Sequence, residues 1–342
     1  MKTQRLNTSE TDLQVAACII ENGGLVAFPT ETVYGLGANA LDPEAVAKVY
    51  KAKGRPSDNP MIVHISRASD IGQLTPELSQ RIIKLIENFW PGPLTLVVPK
   101  KAEVPDITTG GLDTVAVRMP DDKVALRIIT LAGCPIAAPS ANLSGKPSPT
   151  KASHVIDDLD GKIDAIVCGA DCRVGIESTV LDVSSEVATI LRPGIITAEN
   201  IEAAIGEPVA FDPTLLANGQ WNLGLNDDGE MDSTAPKSLG MKYKHYAPKA
   251  QMTIIEGQRD RVKSEIERLK GLNERIGLKV GVILFEEQAF IEAAHDFFSN
   301  LRELDEQNVD LILAGALSDK DGVGFAVMNR MLKSSGYNIA KV

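Results

Sequence analysis

A short, positively charged turn is the first place in the chain where the residue types suggest chemistry. Lys53 and Arg55 follow a predicted helix, and Gly54 and Pro56 hold them in a rigid turn. An arginine can grip a polyphosphate as a two-pronged fork, and a lysine can add a point charge. Lysines at the end of a helix are also commonly solvated and favoured by the helix dipole. The residues alone leave both interpretations open.

A loop of small polar residues follows one of the predicted strands. The apolar segment 136–138 runs into Ser140, Ala141 and Asn142. Ligands bind at the carboxyl ends of strands in open α/β sheets, which makes these residues candidate ligand contacts. An ordinary Pro-Ser-Asn turn has the same composition, so this pattern also has two interpretations.

Hydroxyl side chains and one arginine form a third candidate site. Thr30 and Thr32 lie in the segment PTETVYG, Ser178 precedes a predicted strand, and Arg118 ends another one. Together they could hold a small amino acid, with Arg118 binding its carboxylate. Taken singly, an arginine at a strand end is commonly an ordinary surface ion-pair residue.

Several familiar catalytic signatures are absent from the sequence. It contains no G-x-x-x-x-G-K-[ST] loop, no H-E-x-x-H and no paired C-x-x-C, and its four histidines are scattered. We therefore expect no metal site built from side chains of the protein. Gly35, Gly37 and Ala40 fit a dinucleotide-binding fingerprint. That pattern should follow its strand directly and does not, so we reject the interpretation.

Composition predicts a globular protein of about two domains, at roughly 150 residues per domain. Of its 342 residues, 44% are hydrophobic and 24% are charged, which argues against bulk disorder. The net charge of −11 disfavours extended contact with a phosphate backbone. No apolar run approaches the roughly 20 residues that span a bilayer, and the N-terminal segment has no signal-peptide core. We expect a cytoplasmic protein with no membrane partner.

Short apolar runs alternate with helical patterns, which predicts an α/β fold. The first predicted domain covers residues 1–208, an interdomain linker covers 209–250, and a small α/β domain covers 251–342. The chain lacks Lys and Arg from 193 to 236, and the linker then ends in a basic, aromatic tail. A plain linker needs neither property, so we expect this tail to dock on the protein.

The predicted elements alternate along both domains. The strands are expected at 25–28, 61–65, 94–98, 115–118, 136–138, 165–168, 179–183, 189–191, 252–255, 280–285 and 310–314. The helices are expected from 43 to about 52 and at 79–89, 123–132, 152–159, 198–205, 259–274 and 323–332, with an earlier one that begins near residue 9.

Together these motifs resemble the YrdC-type family over the whole chain. PTETVYGLG at 29–37, KGR at 53–55 and SAN at 140–142 are similar to the strand-loop, K-x-R and S-x-N motifs of the family. The tail KHYAP at 244–248 resembles the linker signature of its two-domain form, the L-threonylcarbamoyladenylate synthases. One departure is LGM at 239–241, where the family often has Pro-Gly-Met.

The resemblance implies both a fold and a reaction. The fold is a YrdC-like twisted mixed sheet with helices, followed by a smaller Rossmann-like α/β domain. The reaction is a nucleotidyl transfer that condenses L-threonine, bicarbonate or CO2, and ATP to threonylcarbamoyl-AMP and pyrophosphate. The product serves the threonylcarbamoyladenosine modification of tRNA through downstream modification proteins. ATP is then a substrate, Mg²⁺ is an expected companion, and direct binding of tRNA is not expected.

The resemblance also assigns roles to residues. Lys53 and Arg55 are the expected catalytic pair that holds the ATP phosphates. The expected ATP-binding residues are Arg55, Asn59, Thr114, Ser140, Asn142, Ser148, Arg192, Tyr243 and Tyr246. The expected threonine-binding residues are Thr32, His64, Arg118, Ala138 and Ser178. Tyr243 and Tyr246 belong to the linker, which is expected to close over the active site.

Two alternatives remain open at this stage. The same fold occurs in a carbamoyltransferase of hydrogenase maturation, although this chain lacks the cysteine spacing of that protein's zinc-finger region. A non-catalytic module that binds RNA or the ribosome could use the lysine clusters, although the charge of −11 argues against it. The C-terminal domain shows no recognisable chemistry, and we expect it to position the linker or to carry an interface.

Overall fold

The protein was analysed as a computed structural model that describes residues 2–217, 220–221, 246–318 and 322–342. Within these residues, an eleven-stranded mixed sheet and a separate four-stranded parallel sheet both pack against helices. This arrangement confirms the predicted α/β class, with one large and one smaller unit. None of the described helices combines the length and the apolar character needed to cross a bilayer.

The large sheet mixes parallel and antiparallel pairs. Its strands are β1 (Gln4–Leu6), β2 (Val26–Phe28), β3 (Gly35–Asn39), β4 (Ile62–His64), β5 (Leu94–Pro99), β6 (Thr114–Arg118), β7 (Ile136–Ala137), β8 (Ala165–Val167), β9 (Thr179–Asp182), β10 (Thr189–Arg192) and β11 (Ala210–Phe211). Their spatial order is β1-β8-β2-β3-β7-β4-β6-β5-β9-β10-β11. The predicted strands of this unit all occur, with ends that differ by at most one residue.

Strand β3 is an interior strand of the sheet although the sequence analysis did not predict it. It pairs antiparallel with both β2 and β7. Its glycines weaken the strand signal, because glycine is depleted in strands. At Gly37 the missing side chain is required, since a Cβ there would lie 2.5 Å from the Phe28 ring.

Helices cover both faces of the large sheet. They are α1 (Glu10–Glu21), α2 (Pro43–Lys53), α3 (Gln80–Phe89), α4 (Asp106–Thr109), α5 (Lys123–Ala132), α6 (Ala152–Leu159) and α7 (Ala198–Ile205), with short 3₁₀ turns at Ala68–Gln73 and Pro213–Leu215. Helices α1 and α5 pack in one hydrophobic cluster, and α2, α3, α6 and α7 pack in another. Asp42 caps α2 by accepting hydrogen bonds from two backbone N–H groups, as the Asp-Pro pair predicts.

The smaller unit follows a short pair of strands, β12 (Leu216–Ala217) and β13 (Gln220–Trp221). Its elements are β14 (Gln251–Glu256), α8 (Arg259–Arg275), β15 (Val280–Ile283), α9 (Phe290–Glu306), β16 (Leu311–Gly315), α10 (Val323–Ser335) and β17 (Ile339–Lys341). The strands are all parallel, in the order β15-β16-β14-β17. The sequence analysis missed α9, although Ala293, Phe297 and Leu301 recur at the four-residue spacing of a buried helical face.

The domain boundaries at 208 and 250 stay a prediction. The large sheet continues to Phe211 through the pairing of β11 with β10, and the smaller sheet begins at Gln251. Most of the proposed linker, residues 222–245, lies outside the described residues. Tyr246, the next described residue, is buried in the hydrophobic cluster of the smaller unit.

Candidate active site

A cleft of about 610 Å³ opens where several loops of the large sheet meet Tyr246. The turn between β2 and β3, the turn after α2, the ends of β4, β6 and β10, and the loops after β7 and β8 all contribute. The lining residues are Thr30, Thr32, Val33, Gly35, Arg55, Ile62, His64, Arg118, Ala138, Pro139, Ser140, Asn142, Lys146, Glu177, Ser178, Arg192 and Tyr246. The three clusters that the sequence analysis singled out therefore meet in one cleft.

The first wall of the cleft is a turn that its own hydroxyl groups hold in place. Thr30 Oγ1 donates a hydrogen bond of 2.7 Å to the carbonyl of Val33 and lies 2.9 Å from Thr32 Oγ1. The next residue, Tyr34, accepts a backbone bond of 2.8 Å from Ala141. The threonine-rich turn and the Ser-Ala-Asn loop are thus fixed to each other by backbone pairing.

Arg118 is buried at the end of β6 and fixed from three directions. Its Nη1 donates to Thr32 Oγ1 at 2.9 Å, its Nε donates to the carbonyl of Gly92 at 3.2 Å, and its Nη2 lies 2.5 Å from Glu31 Oε1. A guanidinium has five N–H donors, so this set leaves donors for a ligand carboxylate. The sequence analysis did not foresee Glu31 as the partner of Arg118, although both residues stand in the motifs it used.

His64 lines the same end of the cleft as a neutral ring. Burial and the nearby Arg118 lower its pKa to about 3. Its Nδ1 lies 3.2 Å from the carbonyl of Ile62. A neutral imidazole beside a buried arginine adds a polar contact for a ligand without adding a second positive charge.

The affinity for L-threonine, the ligand that the family resemblance implies, is expected to stay nearly constant between pH 8 and pH 5.5. A histidine of ordinary pKa near 6.5 gains a proton over this range and would add positive charge beside Arg118. A pKa of about 3 keeps the His64 ring neutral throughout. Calorimetric titration of threonine at several pH values, with His64→Asn as the matched variant, measures this. An affinity change with a midpoint near pH 6.5 that is lost in the variant contradicts the assignment.

Lys53 and Arg55 leave the C-terminus of α2 in different directions. Arg55 lines the cleft, and its Nη2 donates to the carbonyls of Asn59 and Pro60 at 3.2 and 3.1 Å. Lys53 is buried and does not appear among the lining residues. Its Nζ donates to the carbonyls of Ser140 and Asn142, the latter at 2.6 Å. In this structure Lys53 therefore fixes the loop that follows β7, and Arg55 presents the charge.

Arg192 and Ser178 form another part of the cleft wall. Arg192 Nε donates to the carbonyl of Ser178 at 3.0 Å, and its Nη2 lies 3.1 Å from Ser178 Oγ. Thr95 Oγ1 lies 2.7 Å from the same hydroxyl oxygen and fixes it from the neighbouring strand. An expected threonine contact and an expected nucleotide contact are therefore joined directly.

Positive charge dominates the cleft of this acidic protein. Arg55, Arg118, Lys146 and Arg192 line it, against the single carboxylate of Glu177 among the lining residues. Burial lowers the pKa of both Arg55 and Arg192 to about 10, so both remain charged at neutral pH. A cationic cleft of this kind raises the local concentration of anionic ligands.

Some expected site residues do not line the cleft. Asn59, Thr114 and Ser148 are not among the lining residues, and Ser148 is buried with its Oγ 2.5 Å from Glu177 Oε1. Tyr243 lies outside the described residues. The sequence analysis missed Lys146 and Glu177, although Glu177 directly precedes Ser178 and Lys146 ends the small-residue loop.

The described residues do not assemble a metal site from protein side chains. No three His, Cys, Asp or Glu residues among them lie close enough together to bind a cation. Glu177 already forms an ion pair of 3.1 Å with Arg330. Mg²⁺ commonly binds through substrate phosphates with few protein ligands. We therefore assign no protein ligand to the expected Mg²⁺.

Two family models together cover most of the chain. A family described as "Telomere recombination" matches residues 18–194. A second, described as "Threonylcarbamoyl-AMP synthase, C-terminal domain", matches residues 196–336. The first matched segment contains the large sheet's cleft residues, and the second contains the smaller unit up to the end of α10.

Curated relatives match over nearly the full length. The threonylcarbamoyl-AMP synthase of Pyrococcus abyssi is 47% identical, with 99% of this chain and 98% of the relative covered. That of Bacillus subtilis is 44% identical, with 99% and 97% covered. A crystal structure of P. abyssi Sua5 complexed with L-threonine superposes with a TM-score of 0.90 at 46% identity and covers both chains completely, at 100% each. Escherichia coli YciO, at 20% identity and a TM-score of 0.51 over 57% of this chain and 97% of its own, shares the fold.

Proposed function

The chain belongs to the threonylcarbamoyl-AMP synthase family, and from that premise we propose that it condenses L-threonine, bicarbonate or CO2, and ATP to threonylcarbamoyl-AMP and pyrophosphate. This is a nucleotidyltransferase reaction, and its product is an activated donor for tRNA threonylcarbamoyladenosine biosynthesis. The observation that carries the proposal is a single cleft in which Arg118 and Thr32 face the same space as Arg55 and Arg192.

The end of the cleft around Arg118 suits an amino acid. Arg118 supplies donors for the carboxylate, and Thr32, His64, Ser178 and the backbone of Ala138 supply polar contacts around it. The P. abyssi relative was crystallised with L-threonine, which supports the same ligand here. Fixing the carboxylate places the amino group of threonine toward the middle of the cleft.

The first chemical step is the formation of a carbamate. The neutral amine of threonine attacks the carbon of CO2, forms the N–C bond and loses one proton to solvent. Carbamates break down readily in water, so a closed site protects this intermediate until it reacts further. We propose that the linker forms such a cover, with Tyr243 and Tyr246 as its contacts to the site.

The second step transfers the adenylyl group. A carbamate oxygen attacks the α-phosphorus of ATP in line, the bond to the bridging oxygen breaks, and pyrophosphate leaves with the electron pair. The positive charge of Arg55 and Arg192 offsets the charge on the transferring group and on pyrophosphate. Ser140 and Asn142 contact the nucleotide from the loop that Lys53 fixes. The step needs no nucleophilic side chain.

The surroundings of the reaction are part of the same proposal. Mg²⁺ would arrive with ATP and neutralise phosphate charge, and its ligands would come mainly from the nucleotide. Asn59, Thr114 and Ser148 would support the nucleotide from behind the wall. We propose a cytoplasmic location and a downstream tRNA-modification protein as the acceptor of the product.

Measuring pyrophosphate release with each substrate omitted in turn tests the proposal. We expect release only when ATP, threonine and bicarbonate are all present. A carbamoyltransferase would depend on carbamoyl phosphate instead, and an RNA-binding module would release no pyrophosphate at all. Either of those results rejects the proposed reaction.

A further inference from the structure

Arg330 of the smaller unit reaches into the wall of the cleft. It lies on α10, and its side chain is fully buried. Its Nε donates to Glu177 Oε2 at 3.1 Å, its Nη2 lies 3.5 Å from the Glu177 carbonyl, and its Nη1 donates to the carbonyl of Pro193. All three contacts are to residues directly next to Ser178 or Arg192.

Glu177 connects this arginine to two residues that we place on the nucleotide side. Its Oε1 accepts a hydrogen bond of 2.5 Å from Ser148, and the Tyr246 hydroxyl also bonds to its carboxylate. The Tyr246 ring packs at 5.0 Å against Phe298 of α9. Burial alone would raise the pKa of Glu177, but Arg330 and Arg192 outweigh it and hold the pKa below its usual value. The carboxylate is therefore charged and needs a cationic partner.

A second arginine of the smaller unit forms a docking contact, that is, a contact that joins the two units. Arg302 on α9 donates to Asp158 Oδ2 at 2.9 Å and to the carbonyl of Pro147 at 2.6 Å. It also joins the two units through a buried carboxylate, which pairs with Lys146 of the cleft as well, but it has no contact with Glu177. The ion pair of Arg302 and Asp158 therefore already joins the two units. The second buried ion pair, between Arg330 and Glu177 at the cleft wall, adds a desolvation cost of its own.

We propose that Arg330 is a positioning residue for nucleotide binding, because it holds Glu177 where Tyr246 can meet ATP, where Ser148 can support the wall from behind, and where Arg192 stays available to the phosphates. The smaller unit then contributes to the active site without touching a substrate. This inference rests on the proposed function. It assigns the C-terminal unit a task that its own sequence does not reveal.

Removal of Arg330 would leave the buried carboxylate of Glu177 without its ion-pair partner. Glu177 would then draw on Arg192, which also lowers its pKa, and on Lys333, whose charge interacts with the same carboxylate. Arg192 would be diverted from ATP, and an unbalanced carboxylate would face the phosphates. The threonine end, which Arg118 and His64 form, has no contact with Arg330 among the described residues. The defect should therefore fall mainly on ATP, and it can reach threonine only through Ser178, which is bonded to Arg192.

The test compares Arg330→Met and Arg330→Lys with the matched control Arg302→Met in the full chain. The measurements are the KM for ATP in threonine-dependent pyrophosphate release, the Kd of threonine by calorimetry, and the melting temperature. We expect Arg330→Met to raise the KM for ATP by about tenfold or more, and the threonine Kd to stay within about twofold. Arg330→Lys keeps a charge without the fork and should give a smaller rise.

Arg302→Met should lower the melting temperature and leave the KM for ATP within about threefold of the wild type. An equal rise in KM for Arg302→Met and Arg330→Met would reduce Arg330 to a docking contact and overturn the inference. If Arg330→Met does not fold, an unchanged KM for ATP in Arg330→Lys overturns it as well. Absence of pyrophosphate release by the wild type would instead reject the proposed function.

Discussion

Replacing Arg55 with alanine is expected to slow threonine-dependent pyrophosphate release by about 100-fold or more. The loss of one preorganised donor at a site of developing charge typically has an effect of this size. Arg55 is held in the cleft by the carbonyls of Asn59 and Pro60, so its guanidinium is already oriented before ATP binds. Measurement of the rate of pyrophosphate release at saturating ATP, threonine and bicarbonate separates this effect from substrate binding.

Arg67→Ala is the matched control for Arg55→Ala. Arg67 carries the same charge, but its side chain is 74% exposed and pairs with Asp70 on the surface. Its removal should change the rate by less than about twofold, because surface ion pairs contribute little. Near-normal pyrophosphate release by Arg55→Ala would show that this turn does not bind the phosphates.

Replacing Arg118 with lysine is expected to weaken threonine binding on the order of 10- to 100-fold, the size of a lost charged hydrogen bond. Lysine keeps the positive charge beside Glu31, so the buried carboxylate retains a partner and the protein can fold. It lacks the planar fork that binds a carboxylate with two parallel bonds. Calorimetric titration of threonine without ATP measures the loss.

Arg5→Lys serves as the control for Arg118→Lys. Arg5 forms an ion pair with Asp160 on the surface, and its side chain is 57% exposed. We expect its threonine affinity to match that of the wild type. A threonine Kd for Arg118→Lys within about twofold of the wild type would mean that the carboxylate binds elsewhere.

The sequence predicted the clusters of residues that form the cleft, but not the contacts that fix their side chains. Lys53 is an example, because a Lys-x-Arg turn predicts phosphate binding for the lysine and the arginine alike. In the structure the Lys53 ammonium bonds to carbonyls 87 and 89 positions away, at Ser140 and Asn142. No local pattern encodes a contact with backbone oxygens of a distant loop.

Long-range ion pairs could not be predicted from the sequence for the same reason. Arg330 lies 153 positions from Glu177, and neither residue type is unusual in its own segment. The helical face of α9, in contrast, could have been predicted from the spacing of its apolar residues, although the sequence analysis missed it. The expectation that the C-terminal domain positions the linker stays a prediction, and the packing of Tyr246 on Phe298 supports it.

A crystal structure grown with L-threonine and a non-hydrolysable ATP analogue tests the shared cleft most directly. We predict that both ligands bind in it together, with the threonine carboxylate on Arg118 and Thr32 and the phosphates on Arg55. The amino group of threonine should then face the α-phosphate across a gap that one carbamate can fill. Ligands bound at separate places, or a cleft that binds neither of them, would contradict the account.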